Sequence, residues 1–221
     1  MEAVLKIGGS LAEDPTSLVR LCQQVSKIAK THKIAVVPGG GVFADTVRKL
    51  DRIYNLSNKI AHKMAILAMD QYGLFLSNIA PNSHISYNLE EIENATSGTL
   101  PIFLPSKLMF HKDPLENSWD ITSDTIAAYI ADLLHSKKLI LVTDVDGIFS
   151  EDPKQNRDTK CIEKLTAKEL LGWNKRTSVD KALSKMILHT KIDCYVVNGK
   201  HPQRIRLILE NKKTVYTQIN T

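Results

Sequence analysis

Near the start of the chain a lysine, two glycines and a serine close a short apolar run, Val4-Leu5-Lys6-Ile7-Gly8-Gly9-Ser10. Glycine lets the main chain pass close to a ligand and tolerates positive φ. Exposed N–H groups at a turn and a helix start attract anions. Lys6 adds a mobile ammonium beside them, and the set suits a phosphate group. An ordinary strand-to-helix turn uses the same residues, so the stretch alone leaves both readings open. It matches neither G-x-x-x-x-G-K-[ST] nor G-x-G-x-x-G. A second glycine loop follows another apolar run at Val36-Val37-Pro38-Gly39-Gly40-Gly41. Asp45 and Arg48 come next, at i and i+3 on one helix face, where they can serve a ligand or pair in solvent. Two such loops suit a site for two phosphate groups.

Acidic residues cluster in the second half. In Ser118-Trp119-Asp120-Ile121-Thr122-Ser123-Asp124-Thr125, Thr122 or Ser123 can cap a helix. Asp120 and Asp124 can be dipole partners of that helix, or one can orient a catalytic lysine. A buried run then opens into Thr143-Asp144-Val145-Asp146-Gly147-Ile148-Phe149, followed by Asp152-Pro153. Phe149 and Pro153 can flank a planar base, and Asp144 and Asp146 can receive ribose hydroxyls or stay solvated. The spacing is not that of an EF-hand loop. Lys181, Lys185 and His189 fall at i, i+4 and i+8, a pattern most often solvated.

Positioning these residues requires strands that end at the glycine and acidic loops. Strand-like runs occur at 3–7, 34–37, 102–104, 139–143, 194–197 and 214–217, several of them continuously apolar, as in a sheet covered on both faces. Helical patterns fill 15–30, 42–54, 57–73, 123–135, 178–189 and 202–210. The alternation predicts a mostly parallel α/β sheet with right-handed crossovers, in which ligands sit at the carboxyl ends of strands. The 57–73 helix is apolar around most of its circumference, so it predicts burial on two sides and a homo-oligomer built around it. Met64 and Met69 read as packing, and His62 and Lys63 as surface or interface residues. Three prolines, Pro101, Pro105 and Pro114, break up the 82–115 stretch.

A chain of 221 residues, 43% of them apolar, can bury one core and is short for two independent domains. The net charge of +5 comes without a long Lys/Arg block, so no nucleic-acid partner is implied. Cys22, Cys161 and Cys194 give neither a zinc spacing nor a disulfide framework. No apolar run spans a membrane, and Lys6 with Gly8-Gly9 interrupts any signal-peptide core. A cytoplasmic protein is expected.

Taken in order, Lys6-Ile7-Gly8-Gly9-Ser10, Pro38-Gly39-Gly40-Gly41, Asp120 to Asp124, Thr143 to Phe149 with Asp152-Pro153, and Asn198-Gly199 resemble the amino-acid kinase family over essentially the whole chain. That family includes acetylglutamate, uridylate and isopentenyl phosphate kinases. Within it the chain is similar to the kinases of methanofuran synthesis, which convert (5-(aminomethyl)furan-3-yl)methyl phosphate to its diphosphate. The stretches Gly39 to Arg48, Ala65 to Gly73, Ser118 to Asp124, Thr177 to Asp180 and Tyr195 to Gly199 carry that likeness.

The resemblance implies an open αβα sandwich with a mostly parallel central sheet, one domain with an acceptor lobe (1–117) and a nucleotide lobe (118–221). It implies ATP with Mg²⁺ and a small phosphorylated acceptor, with no metal held by the protein's own side chains. Lys6 would balance charge on the transferred phosphoryl group, with Gly8, Gly9 and Gly40 giving N–H contacts and Asp124 holding the lysine. Ser10, Thr143, Asp144, Asp146, Gly147, Phe149, Asp152 and Pro153 would frame the nucleotide. Gly39, Gly40, Gly41, Asp45, Arg48, Asp120 and Thr122 would face the acceptor, and one of Asp45, Asp70 and Asp120 would take an ammonium, Asp120 being favoured. Many members carry a second lysine in Gly-Met-x-x-Lys; here the place reads Thr177-Ser178-Val179-Asp180-Lys181, which puts Lys181 forward without the Gly or Met. A non-catalytic nucleotide sensor on the same fold is the alternative; a retained Lys6 with both glycine loops favours the enzyme.

Overall fold

The computed structural model describes residues 1–96, 98–151, 156, 159–173 and 177–221. The strands are β1 (Ala3–Ile7), β2 (Ile34–Pro38), β3 (Ser83–Ser86), β4 (Leu100–Phe103), β5 (Lys138–Thr143), β6 (Ile148–Phe149), β7 (Cys161–Ile162), β8 (Lys164–Thr166), β9 (Asp193–Asn198) and β10 (Thr217–Asn220). The helices are α1 (Pro15–Ile28), α2 (Gly41–Tyr54), α3 (Asn58–Ile79), α4 (Leu89–Glu93), α5 (Ser106–Lys112), α6 (Ser123–Leu133), α7 (Ala167–Leu171), α8 (Leu183–Thr190) and α9 (Gln203–Leu209), with a 3-10 turn at Gly9–Glu13. One sheet has the order β3-β4-β2-β1-β5-β9-β10-β8, and β6-β7 form a separate antiparallel ribbon. Within the large sheet only the β9–β10 pairing is antiparallel.

Alternation along β1 divides two cores. Val4 joins Val37, Leu141 and Val196 on one face, beneath Ile126 and Ile130 of α6 and Leu183 and Ile187 of α8. Leu5 and Ile7 join Val36, Val142 and Val197 on the other, beneath Leu18, Leu21 and Val25 of α1 and Ile205 and Ile208 of α9. Both faces are covered, as the apolar strands require. The result is the expected open αβα sandwich. Among the described residues no helix is long and apolar enough to cross a membrane.

Several boundaries differ from expectation. The last strand begins at Thr217, because Thr217–Ile219 pairs with Val196–Cys194 and Gln218 to Asn220 with β8. The long helix runs through Gly73 to Ile79; a Cβ there would meet Pro38 and Leu104, so this glycine serves close packing and ends nothing. His62 was expected at a surface or interface, yet it is only 6% exposed. Lys63 is half-buried, with its ammonium 5.3 Å from the Phe110 ring centroid.

Candidate active site

β1 pairs in parallel with β2 on one side and β5 on the other, so the chain's direction of growth reverses at β1. Open α/β sheets hold ligands beyond the strand ends at such a switch point. Three loops leave the sheet there: Gly8-Gly9-Ser10, Gly39-Gly40-Gly41 and Asp144 to Gly147. The Gly8 N–H donates to Val142 O (2.8 Å) and the Gly39 N–H to Ile7 O (2.8 Å), which locks the three strand ends together. The phosphate contact expected from the Gly8 N–H is therefore already committed within the sheet. Gly8 instead allows close approach, since a Cβ would sit 2.9 Å from Val142 O.

The N–H groups left for an anion are those of Gly9 and Ser10 at the 3-10 turn and of Gly40 to Phe43 at the start of α2, which lack intrahelical partners by position. The two loops lie against one another. A Cβ on Gly9 would overlap Gly41, itself at φ +53°, a left-handed conformation that glycine adopts at little cost. Tyr72 of α3 fastens the first loop from below by donating to Gly8 O at 3.3 Å.

Lys6 projects from β1 and places Nζ 2.7 Å from Asp124 Oδ1; the two side chains are 13% and 8% exposed. Asp124 lies in the first turn of α6, where the helix dipole favours negative charge. Its Oδ2 accepts the Asp180 main-chain N–H at 3.2 Å. The Asp180 side chain returns the contact to the same helix start: Oδ2 accepts from Thr122 N–H (2.8 Å), Thr122 Oγ1 (3.0 Å) and Thr125 N–H (3.1 Å). Its Oδ1 accepts from Thr125 Oγ1 (2.6 Å) and from Leu183 N–H (2.8 Å) at the first residue of α8. Burial and then the neighbouring Asp124 push the Asp180 carboxyl above its ordinary range, against these donors. Spacing alone does not reveal Asp180, because its partners at the start of α6 lie 55 and 58 residues away.

Beyond β5, Asp144 Oδ1 accepts from Ser10 Oγ (3.1 Å) and Thr143 Oγ1 (3.2 Å), tying the first and third loops. Asp146 Oδ1 accepts from Arg204 (2.6 Å) and Asn198 (3.0 Å). Burial raises the Asp146 carboxyl, but these two donors and the charges of Arg204 and His201 hold it below its ordinary range. Gly147 packs against Thr217 and Cys161, where a Cβ has no room, and half-buried Phe149 pairs with Cys161 in the β6–β7 ribbon. Asp152 and Pro153 lie outside the described residues.

Other expected residues are not drawn into this cluster. Asp45 and Arg48 pair at 2.8 Å on α2, 63% and 41% exposed, with the Arg48 guanidinium over the Trp119 ring. Asp120 and Lys181 pair at 3.5 Å, 66% and 78% exposed, and line a separate cavity beside α8. Thr122 caps α6 and reaches Asp180. Asp70 is buried against Ser106 N–H (3.2 Å), and that burial pushes its carboxyl up.

Lysine, glycine N–H groups and helix starts converging at strand ends make an anion site with a movable cation, which suits phosphoryl groups. The chain is 37% identical to "[5-(aminomethyl)furan-3-yl]methyl phosphate kinase" of Methanocaldococcus jannaschii, over 98% of this chain and 96% of that protein. It is 28% identical to a uridylate kinase of Methanococcoides burtonii, over 93% and 89%. Its fold matches the crystal structure of uridylate kinase from Archaeoglobus fulgidus with a TM-score of 0.76 at 22% identity, over 99% of this chain and 100% of that one. The profile of the amino acid kinase family matches residues 1–205, and the chain belongs to that family.

Proposed function

We propose that this protein is an ATP-dependent kinase that phosphorylates a small phosphomonoester to a diphosphate, with (5-(aminomethyl)furan-3-yl)methyl phosphate as the acceptor. The observation that carries the reading is the Lys6–Asp124 pair, set beside the first glycine loop at the switch point. The kinase of the same acceptor from M. jannaschii, aligned over 98% of the chain, supports the choice. Uridylate kinase activity is the second reading, supported by the M. burtonii relative.

In the proposed reaction an acceptor phosphate oxygen attacks the γ-phosphorus of ATP, and the bond from that phosphorus to the β–γ bridging oxygen breaks, releasing ADP. The nucleophile is already an anion, so no general base is needed. Catalysis rests on positioning and charge stabilisation. Lys6 meets the transferred group, held by Asp124, and Lys181, on a long exposed side chain, swings in as a second cation. Gly9, Ser10 and Gly40 offer N–H groups, and Thr143, Asp144, Asp146, Gly147 and Phe149 frame the nucleotide in the 118–221 lobe. The 1–117 lobe holds the acceptor. Mg²⁺ bound with ATP would neutralise charge on its phosphates, and Asp144, at the end of β5, would be the residue to hold it beside the nucleotide. Among the described residues no three His, Cys, Asp or Glu side chains group to hold a metal alone. The three free thiols suit a reducing cytosol.

A coupled ATPase assay with the aminofuran phosphate, UMP, isopentenyl phosphate and N-acetylglutamate tests this reading. The highest kcat/KM is expected for the aminofuran phosphate. A higher value for UMP overturns the acceptor, and no turnover with any of the four favours a nucleotide sensor.

The outer face of α3 supports a homo-oligomer. Ile60, Leu67 and Leu74 recur every seventh residue and are 48%, 44% and 46% exposed, so they share one stripe. Burying such a stripe against a second copy contributes ~25 cal/mol per Å² before association costs. Light scattering at micromolar concentration is expected to show an oligomer, and Leu67→Glu to dissociate it. A monodisperse wild-type monomer overturns this.

A further inference from the structure

Between α2, α3 and the turn before α6 lies a cavity of about 40 Å³, lined by Gly40, Arg48, His62, Met69, Trp119 and Thr122 among others. It opens beside the second glycine loop. His62 and Trp119 also bound a smaller space together with Asn58 and Ser118. A molecule with its phosphate at Gly40 and its other end in this cavity would meet His62.

Two side chains are set up for such a molecule. Trp119 is fixed as a flat wall, because its Nε1–H donates to Asp51 at 2.7 Å and the Arg48 guanidinium lies 5.0 Å from its ring centroid. His62 is 6% exposed, and among the described residues its ring makes no hydrogen bond. Its ring nitrogens are not among the buried side-chain atoms that lack a partner, so they border open space and are free to meet a ligand. Burial pushes this imidazole below its ordinary range, with the charge of Asp113 opposing. A neutral imidazole carries one acceptor nitrogen, and no carboxylate lines either space.

We propose that this cavity takes the organic part of the acceptor, with Trp119 against its ring and His62 accepting a hydrogen bond from an ammonium at its far end. The proposal rests on the acceptor reading above and names the residues that select it. It moves the ammonium contact from Asp120, which lines a different cavity and faces Lys181 in solvent, to a side chain that lines this one and makes no hydrogen bond among the described residues.

The test compares the aminofuran phosphate with its 5-methyl analogue, which has no amine, in the wild type and in His62→Leu, His62→Gln, Asp120→Asn and Trp119→Ala. The wild type is expected to favour the amine by at least about tenfold in kcat/KM, the scale of a hydrogen bond to a charged group. His62→Leu should lose that preference by raising the KM for the amine-bearing acceptor alone. His62→Gln, whose amide oxygen also accepts, should keep part of it, and it decides the matter if the leucine variant does not fold. Trp119→Ala should raise the KM for both compounds. If the wild type turns over the aminofuran phosphate and its full preference survives in folded His62→Leu or His62→Gln, or vanishes in Asp120→Asn, the assignment to His62 falls while the kinase reading stands. If UMP is the preferred acceptor, the aminofuran reading and the ammonium contact fall together, and an unchanged UMP KM in Trp119→Ala removes the cavity as well.

Discussion

Lys6→Ala is expected to lower kcat by at least about 100-fold, the scale for removing one preorganised charge donor from a transition state, while the KM for ATP moves much less. The argument starts from geometry. The lysine leaves β1 at the switch point, and its ammonium is held 2.7 Å from Asp124 with little exposure to water. Charge in such a place is worth more than in solvent, and it needs no reorganisation when the phosphoryl group passes. Removing it leaves Asp124 buried and unpaired, which destabilises a fold. Two features limit that loss: Asp124 keeps the Asp180 N–H and its place in the first turn of α6. Lys6→Arg supplies the control. It preserves the charge and the pairing but moves the cation, so it should melt near the wild type and still lose at least about tenfold in kcat, since misplacing a reacting group is costly. Thermal melts by circular dichroism separate folding from catalysis. A folded Lys6→Ala protein with near-wild-type kcat removes Lys6 from the mechanism.

Much of this arrangement is legible without a structure, for physical reasons that also mark where legibility ends. The strands at the switch point are continuous apolar runs because both faces of the sheet are covered, and each is followed by residues that suit no element interior. Short edge pieces have no such signature. β3 reads Ser-His-Ile-Ser, with an exposed Ile85, and β6 and β7 are two residues long. Gly73 resembles a helix terminator, yet its missing Cβ is what lets α3 pack on Pro38 and Leu104. The start of α8 was placed too early because 178–182 look helical, whereas Asp180 there is occupied with the start of α6. His62 reads as a surface or interface residue from its own helix, and nothing local marks Trp119. Only the approach of α2, α3 and the α6 turn makes them two walls of one cavity. Local pattern reveals elements and the loops between them; a residue whose partners are distant in sequence is revealed by packing.

The second large effect is expected at Asp180, which touches no substrate in the proposed reaction and acts by position. Its carboxylate accepts three donors from the first turn of α6 side chains and main chain at Oδ2, and two more at Oδ1 from Thr125 and α8. It therefore caps two helices at once, and its own N–H holds Asp124, the partner of Lys6. Asp180→Ala leaves buried N–H and hydroxyl groups without acceptors, a loss of roughly 3–5 kcal/mol by comparison with other buried charged groups. At about 2–4 °C per kcal/mol for a chain of this size, the melting temperature should fall by roughly 6–20 °C. Asp180→Asn keeps one acceptor oxygen and should lose about half as much. The two variants also separate stability from positioning. Below their melting temperatures both should show a reduced kcat with an ATP KM close to the wild type, because Asp124 and hence Lys6 are less firmly held while the nucleotide loop beyond β5 is intact. A merely structural role would lower the melting temperature and leave kcat of the folded protein unchanged, and that result would detach Asp180 from the Lys6–Asp124 pair.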